Sequence, residues 1–351
     1  MKYSFMDVGG FEQSLSVARP RPLGSPGFRL VDAEYVGRCL DDPQRTCKTV
    51  FLEAHFTSID HPLDPDRPPG SHIPGAIQVH PSYLEAGLNR KKYYPFYSSP
   101  LDGNLLECND LAGVLERLGI TPDSRVVIYG TEPDGAMAAA RLAWGLMVAG
   151  VSAIRLLDGG IAAWIEHGGT TASSVRTVWQ VDENAACLGQ RRQPEWKLRP
   201  EYLATTEEVR ELVRQGGSFT GGRLVDVRRR GEWDGTLTDY YCFYSKAGHI
   251  PTAIHQGDWD TLLEPGTQKL GPRLESVAAR WRSLGIIDSK VENGNTGLIF
   301  YCGTGWRSSI AFLIAHLLGL SAKNYDDGFY GWSWNDTAEV ADQALAPGKI
   351  D

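Results

Sequence analysis

Two kinds of apolar pattern alternate along this chain. In the first, a few consecutive residues are nearly all apolar and often β-branched or aromatic: Val50-Phe51-Leu52-Glu53, Val126-Val127-Ile128-Tyr129, Leu224-Val225-Asp226-Val227 and Leu298-Ile299-Phe300-Tyr301. Runs this short and continuous predict strands buried on both faces. In the second, the period lengthens: Ile310, Leu313, Ile314 and Leu317 fall at i, i+3, i+4 and i+7, which predicts a helix, and Gly319 supplies its stop. Ala136 to Ala149, closed by Gly150, has the same character. Strands alternating with helices predict an α/β fold with mainly parallel central sheets flanked by helices.

The pattern occurs twice. His72-Ile73-Pro74-Gly75-Ala76 returns as His249-Ile250-Pro251-Thr252-Ala253, and Leu118-Gly119-Ile120 returns as Leu284-Gly285-Ile286. Asp158-Gly159-Gly160-Ile161-Ala162-Ala163-Trp164 is answered by Asp326-Asp327-Gly328-Phe329-Tyr330-Gly331-Trp332, in the same order and at a nearly constant separation. A duplicated domain follows. The predicted boundaries are an N-terminal extension over 1–27, a first domain over 28–172, a linker over 173–200 that lacks either period, and a second domain over 201–340. A chain of 351 residues suits two such units better than one core.

Composition narrows the functions. With 42% hydrophobic and 22% charged residues there is material for packed cores, and the formal charge of −8 argues against a phosphate-backbone binder, so no nucleic-acid partner is expected. No stretch approaches the roughly 18 apolar residues of a membrane-spanning helix, and Met1 to Pro22 lacks the apolar segment of a secretory signal, so no membrane partner is expected. The six cysteines, at positions 39, 47, 108, 187, 242 and 302, show no CxxC or CxxxxH spacing. No metal site is expected, and reduced thiols fit a cytoplasmic location.

The chemistry concentrates in Tyr301-Cys302-Gly303-Thr304-Gly305-Trp306-Arg307-Ser308-Ser309, between a buried strand and the start of a helix. Two glycines let the backbone curl, so that successive N–H groups converge in front of the sulfur, and the helix N-terminus adds positive potential at the same place. Arg307 adds a full charge. Such a cradle, formed by Gly303, Thr304, Gly305, Trp306, Arg307 and Ser308, favours an anion, so the Cys302 thiol is expected to ionise below its reference value of about 8.5 and act as a nucleophile. In the first copy Gly130 stands where Cys302 stands in the second, and Glu132 and Asp134 bring carboxylates instead of an arginine. That copy cannot hold a persulfide.

On this loop, the paired His-Ile-Pro-(Gly/Thr)-Ala segments and the paired Asp-(Gly/Asp)-Gly…Trp segments, the chain from about 28 to 335 resembles the rhodanese family, whose tandem members include thiosulfate and 3-mercaptopyruvate sulfurtransferases. The resemblance implies two tandem rhodanese-like domains, the first inactive and walling the site of the second. It implies transfer of a sulfane sulfur from an anionic donor, through a Cys302 persulfide, to a thiol, cyanide or protein acceptor, with no metal or organic cofactor.

It also implies finer roles. In the mercaptopyruvate branch a loop serine relays a proton within a Ser/His/Asp set; Thr304 matches the serine, His72 the histidine, and Asp60 or Asp64 is the candidate carboxylate. Arg228 matches the first of two substrate-holding arginines, whereas Asp234 stands at the second, so Arg307, Arg229 or Arg230 must compensate or mercaptopyruvate is not the preferred donor. The plainer alternatives are a turn role for His72, an ion pair for Arg228, and packing between domains for Trp306. A cysteine phosphatase also carries Cys and Arg on a loop before a helix, but on a longer ring that surrounds a phosphate. Two readings compete with a free-standing enzyme: a non-catalytic rhodanese-type sensor, and a persulfide relay to a dedicated partner.

Overall fold

A computed structural model describes residues 27–42, 49–56, 71–87, 102–131, 134–178, 195–216, 222–237, 244 and 246–334. The first domain's sheet contains β1 (Gly27–Val31), β2 (Thr49–Ala54), β3 (Ile77–Val79), β4 (Arg125–Gly130), β5 (Ala153–Leu157) and β6 (Arg176–Thr177), in the order β1-β5-β4-β2-β3-β6. The second contains β7 (Leu203–Ala204), β8 (Arg223–Asp226), β9 (Ile254–His255), β10 (Leu298–Tyr301) and β11 (Ala322–Tyr325), in the order β7-β11-β10-β8-β9. All pairings within the two sheets are parallel, and the second order repeats the first less its last strand. The α/β fold and the duplication read from the sequence are both present.

One boundary differs. Arg176 and Thr177 pair with Ile77 and Gln78, so the first domain extends into the segment expected to be linker. Its two paired residues are too few to leave a periodic signal. Further on, the Arg199 amide bonds the Val148 carbonyl at 2.8 Å, and the Trp196 indole bonds Glu116 at 2.8 Å, so this end of the segment is also held on the first domain.

Strand periodicity explains where the chemistry lies. Along β10, Leu298, Phe300 and then Cys302 point into one large apolar cluster, while Ile299 and Tyr301 point to the cluster on the opposite face. β4 behaves alike, with Val126 and Ile128 on one side and Val127 and Tyr129 on the other. The large cluster contains residues of both domains. Through it run the helices Gly135–Ala149 and Trp306–Leu317, which pack on each other; every residue of the first and Trp306 to Ala315 of the second are buried. A helix apolar all round belongs at such a centre. Cys302 and the helix that follows it therefore face the other domain.

Candidate active site

Cys302 leaves the end of β10 and is buried, with 1% of its surface exposed. The Phe329 amide donates to its carbonyl at 2.8 Å and the Tyr330 amide donates to the Gly303 carbonyl at 2.9 Å. These are first-turn amides of the Gly328–Ser333 helix, so the loop carbonyls satisfy donors that a helix start otherwise leaves open. A planar trans peptide points its N–H opposite to its C=O, so the N–H groups of Gly303 and Thr304 face the other side of the loop. Gly328, at φ +58°, permits the approach: a Cβ there would meet the Cys302 carbonyl oxygen at 2.9 Å. The repeated Asp-x-Gly motif is thus a seat for the loop.

The loop closes on Gly305, whose carbonyl accepts from Asn324 Nδ2 at 2.9 Å and from Ser309 Oγ at 2.8 Å. Gly305 caps the Trp306–Leu317 helix at φ +78°. Ser308, one turn into that helix, donates its hydroxyl to Cys302 Sγ at 3.5 Å. Tyr244 brings its hydroxyl over Gly303, in the space a side chain there would need. Cys302 to Gly305 form the loop, Trp306, Arg307 and Ser308 form the first turn of the helix that follows it, and Thr304 is buried.

Arg307 and Arg228 do other work than expected. Arg307 is buried and forks onto Glu232, with Nη1 to Oε2 at 2.6 Å and Nη2 to Oε1 at 2.9 Å. Glu232 Oε2 also accepts from the Arg229 amide at 3.1 Å. The Arg307 charge is matched by a carboxylate, so it shapes the loop rather than offering a free cation to a donor. Arg228 is fully buried, holds both Asp226 oxygens from Nε at 3.1 and 2.9 Å, and lies 4.0 Å over the Phe329 ring. Burial alone would raise the Asp226 carboxyl, but Arg228 beside it holds it below the ordinary range. Arg228 sits in the second domain's core, with Nη1 buried and without a hydrogen-bond partner among the described residues. Asp234 is tied to Thr236 Oγ1 at 2.6 Å, and to Arg230 at 3.5 Å.

His72 also departs from its expected role. Its Nδ1 lies 2.8 Å from Glu53, which accepts from the Tyr129 hydroxyl at 2.6 Å and from Gln78 at 2.9 Å. These partners belong to the first domain, so the ring braces its own sheet instead of relaying protons with Thr304. The second copy repeats part of this: the Ile250 amide bonds the Tyr301 hydroxyl at 3.2 Å, as Ile73 bonds Tyr129, while His249 Nδ1 faces the Trp233 carbonyl at 2.9 Å. Asp60 and Asp64 lie outside the described residues.

The start of the first domain's central helix is filled. Asp134 takes the capping position at φ 55°, a conformation that suits glycine, and the Ala136 amide at the helix start is taken by Gln268 Oε1 of the second domain at 2.7 Å. Between Gly130, Ala136, Gly160 and Gln268 a cavity of about 10 Å³ is left, scarcely room for one water.

Trp306 packs between domains, with its ring centroid 5.6 Å from Phe56 and 5.5 Å from His80. Burial, with His55 alongside, pushes His80 down to about 3, so the ring is neutral; Nε2 faces the Phe56 carbonyl at 3.3 Å and Nδ1 faces Ser82. Beneath lies a buried triad in which Arg141 bonds Glu85 at 2.8 Å and Asp326 at 2.5 Å. Burial, opposed by Arg141 and reinforced by Asp326, pushes Glu85 up to about 7.

A sequence model of the rhodanese-like domain matches residues 60–167 and 205–334. The chain belongs to the rhodanese family. Its relatives include the thiosulfate sulfurtransferase YnjE of Escherichia coli, 29% identical over 290 residues that cover 79% of this chain and 57% of YnjE. The sulfur carrier protein TtuD of Thermus thermophilus is 28% identical over 331 residues, 91% of this chain and 97% of TtuD. Among solved structures, the anaerobic ergothioneine biosynthesis enzyme from Chlorobium limicola, in complex with trimethyl histidine, superposes with a TM-score of 0.66 at 26% identity over 90% of this chain and 70% of that one. The chain is thus a tandem rhodanese of a sulfurtransferase family.

Several residues that build this rhodanese loop left little trace in the sequence. Glu232, Tyr244 and Asn324 are distant from Cys302 along the chain and meet its loop only through folding, whereas Asp326 stands at the head of the repeated Asp-x-Gly motif. Arg141 did leave a sign: it is the one charge in the apolar run Gly135 to Ala149, where only a buried partner makes a cation tolerable.

Proposed function

We propose that this rhodanese carries sulfur on Cys302, and the observation that supports it most is the loop itself. Its sulfur follows a buried strand, its carbonyls are turned onto Phe329 and Tyr330, and a helix begins three residues past Gly303. The Cys302 thiolate attacks the sulfane sulfur of thiosulfate; a new S–S bond forms, the old one breaks, and sulfite leaves with the electron pair. The persulfide's terminal charge is held by loop amides and the Ser308 hydroxyl. A nucleophilic acceptor, cyanide, a thiol or a protein thiol, then takes the outer sulfur and restores the thiolate. The carrier is covalent, so the cycle calls for no metal or organic cofactor; among the described residues no cluster of His, Cys, Asp or Glu is arranged to hold a metal, and no helix is long and apolar enough to cross a membrane. We place the reaction in the cytoplasm, where the thiols stay reduced.

Relatives named as thiosulfate sulfurtransferases favour thiosulfate over 3-mercaptopyruvate as the donor. The similarity to the ergothioneine biosynthesis enzyme favours a second reading of the acceptor, in which a betaine of histidine receives the sulfur. Incubation with each donor, followed by mass spectrometry, should add about 32 Da, one sulfur, to the Cys302 peptide. Cyanide, a thiol or trimethyl histidine should each be tried for removing it. No adduct from either donor would leave the sensor reading in its place.

A further inference from the structure

We propose that Arg141, a residue of the domain without the cysteine, is a positioning residue for the Cys302 loop. The proposal rests on the sulfur-carrying reading of Cys302. Arg141 is 2% exposed, and its guanidinium has three anchors: Glu85 from Nε at 2.8 Å, Asp326 from Nη1 at 2.5 Å, and the Gly103 carbonyl from Nη2 at 3.0 Å. Two anchors belong to the first domain. The third, Asp326, lies two residues before Gly328, the glycine seated on the Cys302 and Gly303 carbonyls, and also accepts from the Leu105 amide at 2.6 Å. The ion pair touches the loop directly: a Cβ on Gly305 would meet Asp326 Oδ1 at 2.6 Å and Arg141 Nη1 at 2.9 Å. Gly305 sets where the helix after the loop begins, and so where the amides of the first turn point.

The duplication supplies an internal control. Asp134 and Gly305 are the equivalent left-handed caps of the two central helices, so Arg141 in one helix corresponds to Phe312 in the other. Phe312 is buried, with its ring centroid 5.6 Å from that of Tyr202, and carries no charge. The equivalent helix position in the second domain thus needs no charge, whereas the first domain places a guanidinium against Gly305 of the cysteine loop. Asp158, the counterpart of Asp326, is likewise held by the Leu270 and Gly271 amides, at 2.6 and 3.0 Å, rather than by an arginine. Burying a cation between two carboxylates is a poor way to gain stability, and a fork of fixed geometry is a good way to hold two backbones in register.

The test compares full-length wild type, Arg141→Met and Arg141→Lys in steady-state transfer from thiosulfate to cyanide, well below each melting temperature. Arg141→Met should lower kcat by about 100-fold, the effect of a misplacement of about 1 Å, while the KM for thiosulfate stays within about three-fold. Arg141→Lys, which keeps the charge but reaches only one carboxylate, should recover part of that loss. A wild-type kcat in folded Arg141→Met, or a loss confined to KM, overturns the proposal. If Arg141→Met does not fold, Asp326→Asn decides: it keeps the Leu105 bond and weakens the ion pair, so kcat should drop about ten-fold, and an unchanged kcat overturns the proposal. Absence of turnover and of a Cys302 adduct in the wild type would instead overturn the sulfur-carrying reading itself.

Discussion

At the scale of single residues, the loop is held by buried charges whose partners are fixed, and each makes a separate prediction. Glu232 lies beneath the loop with Arg307 and the Arg229 amide on its carboxylate. Glu232→Ala strands a buried guanidinium, so unfolding in urea should show a loss on the order of 3–5 kcal/mol, whereas a loss under about 1 kcal/mol would mean that the pair contributes little. Cys302→Ser should abolish persulfide formation with a melting curve close to wild type; turnover that survives it would point to another thiol. Titration acts through Glu85 and His80 in opposite directions. The Glu85 carboxyl, raised from 4.5 to about 7, favours the fold most below about pH 4.5, and that contribution is lost as pH rises through 7. His80, depressed from 6.5 to about 3, favours the fold above about pH 6.5 and loses its contribution as pH falls toward 3. Glu85→Gln should therefore be more stable than wild type at pH 8, by on the order of 3 kcal/mol at most, with the gap shrinking at pH 5. An equal gap at both pH values would show that Glu85 does not titrate in this range.

Among the elements, two strand–loop–helix units of common origin differ in a few positions. The central strands and helices were legible because each is mostly apolar, and Gly150 and Gly319 both take the left-handed conformation that stops a helix. Cys302 to Gly305 were legible as a loop because two glycines stand between a strand and a helix. The direction of Arg307 was not, because a fork onto Glu232 depends on where the Arg230–Trp233 helix arrives. For Arg228 the ion pair, one of the readings open in the sequence, is present, and the register of β8 beside β10 brings Tyr301 and the Phe329 ring around it. In the first unit, Asp134 holds a glycine-like conformation with its carboxyl raised by burial and only partly relieved by Arg229. Asp134→Gly should raise stability by up to about 1 kcal/mol, measured by thermal or denaturant unfolding; a loss would mean that the Arg229 contact outweighs the strain.

For the whole molecule, the decisive feature is that one apolar cluster runs through both domains, with the two central helices and Trp306 inside it. Linked in this way, the domains should unfold together, giving a single calorimetric transition; two well-separated peaks would show that the interface is weaker than its packing suggests. Asp158 grips the second domain's Leu270 and Gly271 amides while Asp326 grips the first domain's Leu105 amide, so each repeat clasps the other with the same motif. The linear pattern by itself determined the α/β class, the duplication, the position of the cysteine and the loss of chemistry from the first copy, because periodicity, glycine placement and a missing sulfur are local properties. The tertiary structure decided that Arg228, Arg307 and His72 are paired within the protein, and that Arg141 of the first domain is bonded to Asp326 of the second. A charged side chain's role is set by which opposite charge shares its burial, and that depends on strand register and domain packing, which no local pattern specifies.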